Sequence, residues 1–277
     1  MRYILFFAAI LFSYSGILAD EGDNDQHDPS FFIRGDLGLN YASGKQLFTF
    51  GQRSDRVTGE YGSMGEGIDI NFSAGYQYHE HFAFILGSGY LSSAMKTGVS
   101  AFNFGLVPAG NVVGEYSGNS YFIKPAIKVS FELDNDIEPY MSLGVLAAFP
   151  QMYWDFEEVD SGPVGSTEMH EGRLEFGRTF ELGLFNEAGI QINFGDNYSV
   201  FSGLSFTSLG YLPDYVELTE LEVNGEDELG DLSDQEKRLE FKEELTEQDL
   251  QQQNNVTIGP AFNFSAISIR AGLNWHF

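Results

Sequence analysis

The chain has no cysteine, few basic residues and, past its first 19 positions, no long apolar run. Each shortage removes a class of protein. Without cysteine, neither disulfides nor a lipid-anchored lipoprotein terminus can hold the molecule together or to a membrane, which leaves a large hydrogen-bonded sheet as the stabilising framework. Only 14 lysines and arginines stand against 41 aspartates and glutamates, a formal net charge of −27. Nucleic acid and anionic membrane surfaces repel such a chain. No later segment approaches the roughly 18 apolar residues of a membrane helix. Histidine is scarce too, with five in all. His27 lies in the N-terminal tail, His79, His81 and His276 fall at tight turns or strand ends, and His170 sits near Glu168 and Glu171 without a nucleophile motif beside it. General acid–base or nucleophilic chemistry needs a positioned partner, so no catalytic residue, cofactor or metal site is expected, and the chain reads as a non-enzyme.

What is present is alternation. From Ile267 to the last residue, Ile267, Ile269, Ala271, Leu273, Trp275 and Phe277 are apolar, while Ser268, Arg270, Gly272, Asn274 and His276 lie between them. A period of 2 is a β-strand with one greasy and one wet face. A strand that finishes on Trp275 and Phe277 suits a lipid-facing surface ending at a membrane interface. At the other end, Met1–Ala19 carries Arg2, an apolar stretch and Ala19 before Asp20, the pattern of a secretory leader. A membrane protein without apolar helices must be a closed barrel, because an open sheet edge is not satisfied in lipid.

Similar runs recur at Ile33–Tyr41, Ile68–Tyr78, Phe82–Leu91, Tyr121–Phe131, Ile137–Phe149, Phe180–Phe194 and Tyr198–Phe206, which with the last makes eight. The faces of Phe82–Leu91 are ambiguous in sequence. Short connections at His79–His81, Asp134–Asp136 and Gly195–Asn197 use residues suited to tight turns. Long ones, about 44–67, 96–119, 150–178 and 211–255, alternate with them. Short periplasmic turns, long outer loops and an even strand number form the plan of an outer-membrane barrel. One irregularity stands out: Val256, Ile258, Phe262 and Phe264 are apolar at even positions, out of phase with Ile267 onward. Either a bulge joins them to the last strand, the favoured reading, or they form a separate strand and the count is ten.

On these residues the chain resembles the small outer-membrane barrels of the OmpA transmembrane, OmpX and OmpW kind. The resemblance covers nearly the whole mature chain. It implies an all-β, antiparallel up-and-down transmembrane barrel over 31–277, behind a leader at 1–19 and an acidic segment at 20–30. It also implies an outer-membrane location in a diderm bacterium, a monomer in contact with lipid and lipopolysaccharide, and the barrel-assembly machinery as folding partner. Ile269, Leu273, Trp275 and Phe277 match the C-terminal signal for that machinery. With Phe277 last, no periplasmic peptidoglycan-binding domain is expected.

An eight-stranded barrel has an interior just wide enough for side chains to fill. The inward phase places Arg34, Asp36, Asp69, Lys124, Lys128, Glu132, Glu138, Glu181, Glu187 and Arg270 there. Charges in so narrow a space must pair. Arg34 on the first strand and Arg270 on the last are neighbours across closure, with Asp36, Asp69 and the glutamates as partners. Such a network is a polar plug or the lining of a narrow path for small solutes or hydrophobic compounds. Outside, the loop from Pro213 to Asn255 is strongly acidic, and Ser233 with Glu236 has capping-box spacing for a short helix within Ser233–Gln252. Its charge suits a solvated face, a cation bridge to lipopolysaccharide, or contact with a basic extracellular protein. Met152, Tyr153, Trp154 and Phe156 in the third loop read as interface-girdle aromatics or a binding surface. Phe48, Phe50, Phe102 and Phe104 in the first two loops carry the same ambiguity. The functional expectation is a structural or surface-interacting barrel, with a narrow channel as the alternative and a lipid-modifying enzyme as a minor one.

Overall fold

The computed structural model describes residues 30–44, 46–53, 56–100, 112–131, 133, 136–161, 167–177, 180–195, 197–242, 256–258 and 260–277. The expected leader, the acidic segment up to residue 29, and Glu132, Phe102 and Phe104 lie outside them. Eight strands form a ring: β1 (Ser30–Ala42), β2 (Gly67–His79), β3 (Phe82–Ser93), β4 (Val113–Ser130), β5 (Ile137–Ser161), β6 (Glu181–Phe194), β7 (Tyr198–Ser208) and β8 (Ala266–His276). Each pairs antiparallel with its sequence neighbours. β8 closes on β1 from Phe32 opposite His276 to Ala42 opposite Ala266. Closure gives every strand two partners, the condition for crossing lipid. Among the described residues no helix is long and apolar enough to cross a membrane.

The pleat decides which side chains face out. Phe72, Leu86, Leu182, Leu204 and Leu273 are each at least 60% exposed, within a continuous outer belt of aliphatic residues. In water such a belt would drive aggregation; against hydrocarbon it is the favourable surface. Aromatic pairs edge the belt at both ends. At the short-turn end Tyr198 and Trp275 stack at 6.3 Å and Trp275 meets Phe277 at 4.6 Å; at the other, Tyr90 meets Tyr121 at 4.8 Å and Phe149 meets Phe180 at 5.5 Å. The faces of β3 are now assigned: Phe84, Leu86 and Tyr90 point outward, while Ala83, Gly87 and Leu91 point inward.

Much of the long connections is strand. β4 and β5 run on beyond the belt, with Val113 opposite Glu157 and Asn119 opposite Gln151. Lys96–Ser100, Gln46–Arg53 and Arg56–Gly62 add to the β4 side. Thr167–Phe176, Tyr215–Val223, Arg238–Lys242 and, in parallel, Val256–Ile258 add to the β5 side. The inner face of this extension carries a packed apolar core that includes Tyr116, Trp154, Phe156, Phe176, Tyr211 and Phe264.

Two expectations are corrected and a third, the short helix, is narrowed. The helix near Ser233 spans only Asp234–Lys237. Its capping box is present, but Leu239 belongs to the strand Arg238–Lys242, where it is buried with Phe241 against the apolar core, and residues 243–255 lie outside the description. The out-of-phase stretch is neither a bulged last strand nor part of a ten-stranded ring. Val256–Ile258 pairs with Arg238–Lys242, Phe262–Asn263 pairs with Gly210–Tyr211, and the ring has eight strands. Met152, Trp154 and Phe156 are neither girdle nor binding surface, since they point inward and are nearly fully buried; no side-chain placement is described for Phe48 or Phe50.

One ladder is interrupted within the belt. β4–β5 pairing runs to Ile123 opposite Ala147 and resumes at Ala126 opposite Gly144. Pro125 has no N–H to donate across that gap, and an unmade backbone bond is costlier in lipid than in water. Pro125→Val is expected to stabilise the refolded barrel by about 1 kcal/mol, read as a rise in the temperature at which its folded gel mobility is lost.

Candidate functional site: the charge network of the barrel lumen

Inward-facing polar residues form two connected layers. Nearer the short turns, Lys128 on β4 donates to Glu138 at 3.1 Å and to Gln191 at 2.9 Å. Asn274 on β8 bridges Gln191 and Ser199, each at 2.9 Å. Ser199 also meets the His276 ring at 3.2 Å.

The second layer is built around two guanidiniums. Arg270 on β8 donates to Asp36 at 2.6 Å, to Asp69 at 2.7 Å and to Ser205 at 2.8 Å, and lies 3.9 Å from Glu187. Arg34 on β1 pairs with Glu187, lies 3.4 Å from Asp36, and sits 3.5 Å over the Phe201 ring. The carboxylates are held from their other sides. Tyr140 donates to Glu187 at 2.6 Å, Asn71 to Asp36 at 3.0 Å and Asn40 to Asp69 at 2.7 Å. This layer ties β1, β2, β5, β6, β7 and β8 together. β3 contributes space: a Cβ at Gly89 would stand 2.5 Å from Asn71 Oδ1 and 2.6 Å from the Phe122 ring.

Forked, charge-assisted hydrogen bonds fix geometry as well as charge, which arginine does and lysine does not. The arrangement closes the lumen with paired ions. Above it the apolar core covers the barrel mouth. Met64 and Phe264 are fully buried there, the Met64 N–H donates to Asn263 O at 2.7 Å, and the Phe264 N–H donates to Leu209 O at 3.0 Å.

The structure brings together Arg34, Asp36, Asp69, Glu187 and Arg270, and separately Lys128 with Glu138. Arg34 and Arg270 are not directly opposite; Arg34 faces Asn274 and Arg270 faces Gly38, and the two cations meet through Asp36 and Glu187. Two expected members stand apart. Glu181 lies at the top of β6, where it accepts a hydrogen bond from the Leu212 N–H at 3.1 Å. Lys124 is buried but forms no ion pair among the described residues; its ammonium lies 4.5 Å from the Phe185 ring and 5.1 Å from the Phe122 ring. Glu132 lies outside the described residues. Ile269, Leu273, Trp275 and Phe277 are all exposed on the lipid side. Sequence reasoning missed Tyr140, Asn71, Asn40, Ser205 and Phe201 as members. All share the inward parity of their strands, which was the available signal.

A closed ring of eight strands with an apolar outer belt and an ionic interior defines a transmembrane β-barrel of the small outer-membrane type. Three solved structures show a likeness over most of their length. Neisserial surface protein A has 13% identity, 91% of this chain and 100% of that one covered, and a TM-score of 0.44. A major outer membrane protein from Thermus thermophilus has 10% identity, 91% and 100% coverage, and a TM-score of 0.48. Ail of Yersinia pestis, solved with a heparin analogue, has 10% identity, 90% and 97% coverage, and a TM-score of 0.33. No protein-family model and no curated protein matches the chain. The class therefore stands on the chain's own ring and belt.

Removing Arg270 strands two buried carboxylates. Arg270→Ser is expected to destabilise the barrel by about 3–5 kcal/mol, the range for breaking a buried ion pair. Adding Asp69→Asn should recover part of the loss. Urea unfolding of the three refolded proteins, followed by tryptophan fluorescence, checks both.

Proposed function

We propose that the protein is a plugged outer-membrane barrel of a diderm bacterium. It holds an acidic β-sheet above the outer leaflet for contact with basic partners, and it neither conducts nor catalyses. The observation that carries this reading is the lumen, filled by the two ionic layers and then by apolar side chains. The void of about 30 Å³ between ionic layer and apolar core has room for little more than a water molecule or two.

The outer face of the extension supports the surface role. Across adjacent strands Glu157 lies opposite Glu171, and Glu171 opposite Glu222. Like charges directly opposite one another destabilise a sheet, and a cationic partner relieves that repulsion. The next row holds Glu115, Asp155, Arg173 and Glu220, where Arg173 is balanced by Asp155 at 2.5 Å and Glu220 at 3.2 Å. The hydrogen bond to Asp155 pushes the Arg173 guanidinium further above its ordinary pKa. A cleft of about 390 Å³ opens along these rows over Val113 and Gly114. The proposed surroundings are lipid and lipopolysaccharide, the state a monomer, and the folding partner the barrel-assembly machinery acting on Ile269, Leu273, Trp275 and Phe277.

The rival reading, a narrow solute path, draws on the inward polar file that runs from Lys128 to Arg270. Planar-bilayer recordings separate the two. The folded barrel is expected to be silent, and steady unitary steps would replace the plug with a pore. In parallel, a lysine decapeptide should bind the barrel in nanodiscs with an affinity that falls as salt rises. The triple variant Glu157→Gln, Glu171→Gln, Glu222→Gln should weaken it about tenfold, near 1.4 kcal/mol. Equal binding by both proteins would remove the acidic face from the account.

A further inference from the structure

Lys124 is the lumen cation that the network does not use. It is 8% exposed, and among the described residues its Nζ meets aromatic rings, with neither a hydrogen-bond acceptor nor a carboxylate within ion-pair distance. A buried ammonium left in this state is costly. The same side chain lines the void of about 30 Å³ between the ionic layer and the apolar core, together with Asn40, Asp69, Ser120, Thr207 and Arg270. Asp69 is already committed: it accepts from Arg270 and Asn40 at 2.7 Å each, and from Asn71. Arg270 and Lys124 lean on one ring, at 6.0 and 4.5 Å from Phe185, so two like charges face the same space.

We propose that this cavity is a binding site for one small monovalent anion of halide size, held by the Lys124 ammonium beside the Ser120 and Thr207 hydroxyls. Size selects the ligand. The void is far below the roughly 150 Å³ that accepts benzene, which rules out an organic acid with a tail. Charge sets the strength. Arg34, Arg270, Lys124 and Lys128 already equal Asp36, Asp69, Glu138 and Glu187 in number. Without Lys124 the other seven groups carry one net negative charge, so the anion neutralises Lys124 locally against that repulsion, and occupancy is weak and concentration-dependent. Core residues Leu146, Leu209 and Phe264 line the cavity beside Lys124, so refolding in the chosen salt gives the ion access while those side chains are still unpacked.

The test is refolding at equal ionic strength in sodium bromide or sodium gluconate, followed by crystallography at the bromine absorption edge. An anomalous peak within contact of Lys124 Nζ is expected. So is an unfolding midpoint higher in bromide than in gluconate by roughly 2–4 °C, a difference that Lys124→Gln abolishes. A folded wild-type crystal with no anomalous density at Lys124, or with water alone there, overturns the proposal even if the variant fails to fold. A bromide effect that persists unchanged in a folded Lys124→Gln barrel also overturns it.

Discussion

Everything in this molecule follows from the backbone hydrogen bond in hydrocarbon. A strand edge exposed to lipid has no water to satisfy it, so the sheet must close on itself. Closure at eight strands then fixes the width of the interior, and that width decides what can be inside. Side chains from opposite walls touch, so the inward positions must be filled, paired or glycine. Arg270 reaches Asp36, Asp69 and the edge of Glu187 because the ring is small. In a wider barrel the same residues would face a water-filled channel.

The interior resolves this constraint differently at different depths. Where the outside is lipid, the inside is ionic, and charge is satisfied by forks and networks. Where β4 and β5 rise past the belt, the outside becomes acidic and the inside becomes apolar. Trp154 and Phe156 point inward while Asp155 and Glu157 point outward. The pleat has not changed; the solvent has. Below this crossover the strand is greasy outside, and above it the strand is greasy inside. Lys124 sits at that boundary, which is why it has the burial of one storey and the charge of the other.

Glycine and proline mark where the ring is under pressure. β3 faces the lumen with Gly87 and Gly89, which makes room for Lys124 and Asn71 from the neighbouring strands. Gly65 lies so close to Phe264 that a Cβ would fall 2.0 Å from its carbonyl oxygen, so the segments covering the mouth can interlock only with glycine there. Pro125 breaks the β4–β5 ladder within the belt, beside Lys124.

The sequence by itself determined the ring: its eight alternating runs, the inward and outward faces of those other than β3, the tight turns, and the lipid-facing end of β8. Period-2 alternation is a local property, readable without knowing which strands are neighbours. It also determined which charges point inward, so Arg34, Asp36, Asp69, Glu187 and Arg270 were legible as candidates. Tertiary structure decided the rest. Which carboxylate holds which cation depends on strand register and on distances across the lumen, and neither is written in a single strand. That left Lys124 without an ion-pair partner among the described residues, moved Glu181 to the mouth, and drew Tyr140 and Asn71 into the network. The out-of-phase residues Val256, Ile258, Phe262 and Phe264 read in sequence as an extension of β8. Their alternation instead serves two short pairings with Arg238–Lys242 and Gly210–Tyr211, distant in sequence. Trp154 and Phe156 mislead for a related reason. An aromatic at a membrane edge and one in a core above it have the same pattern, and only the sheet that folds over the barrel mouth tells them apart.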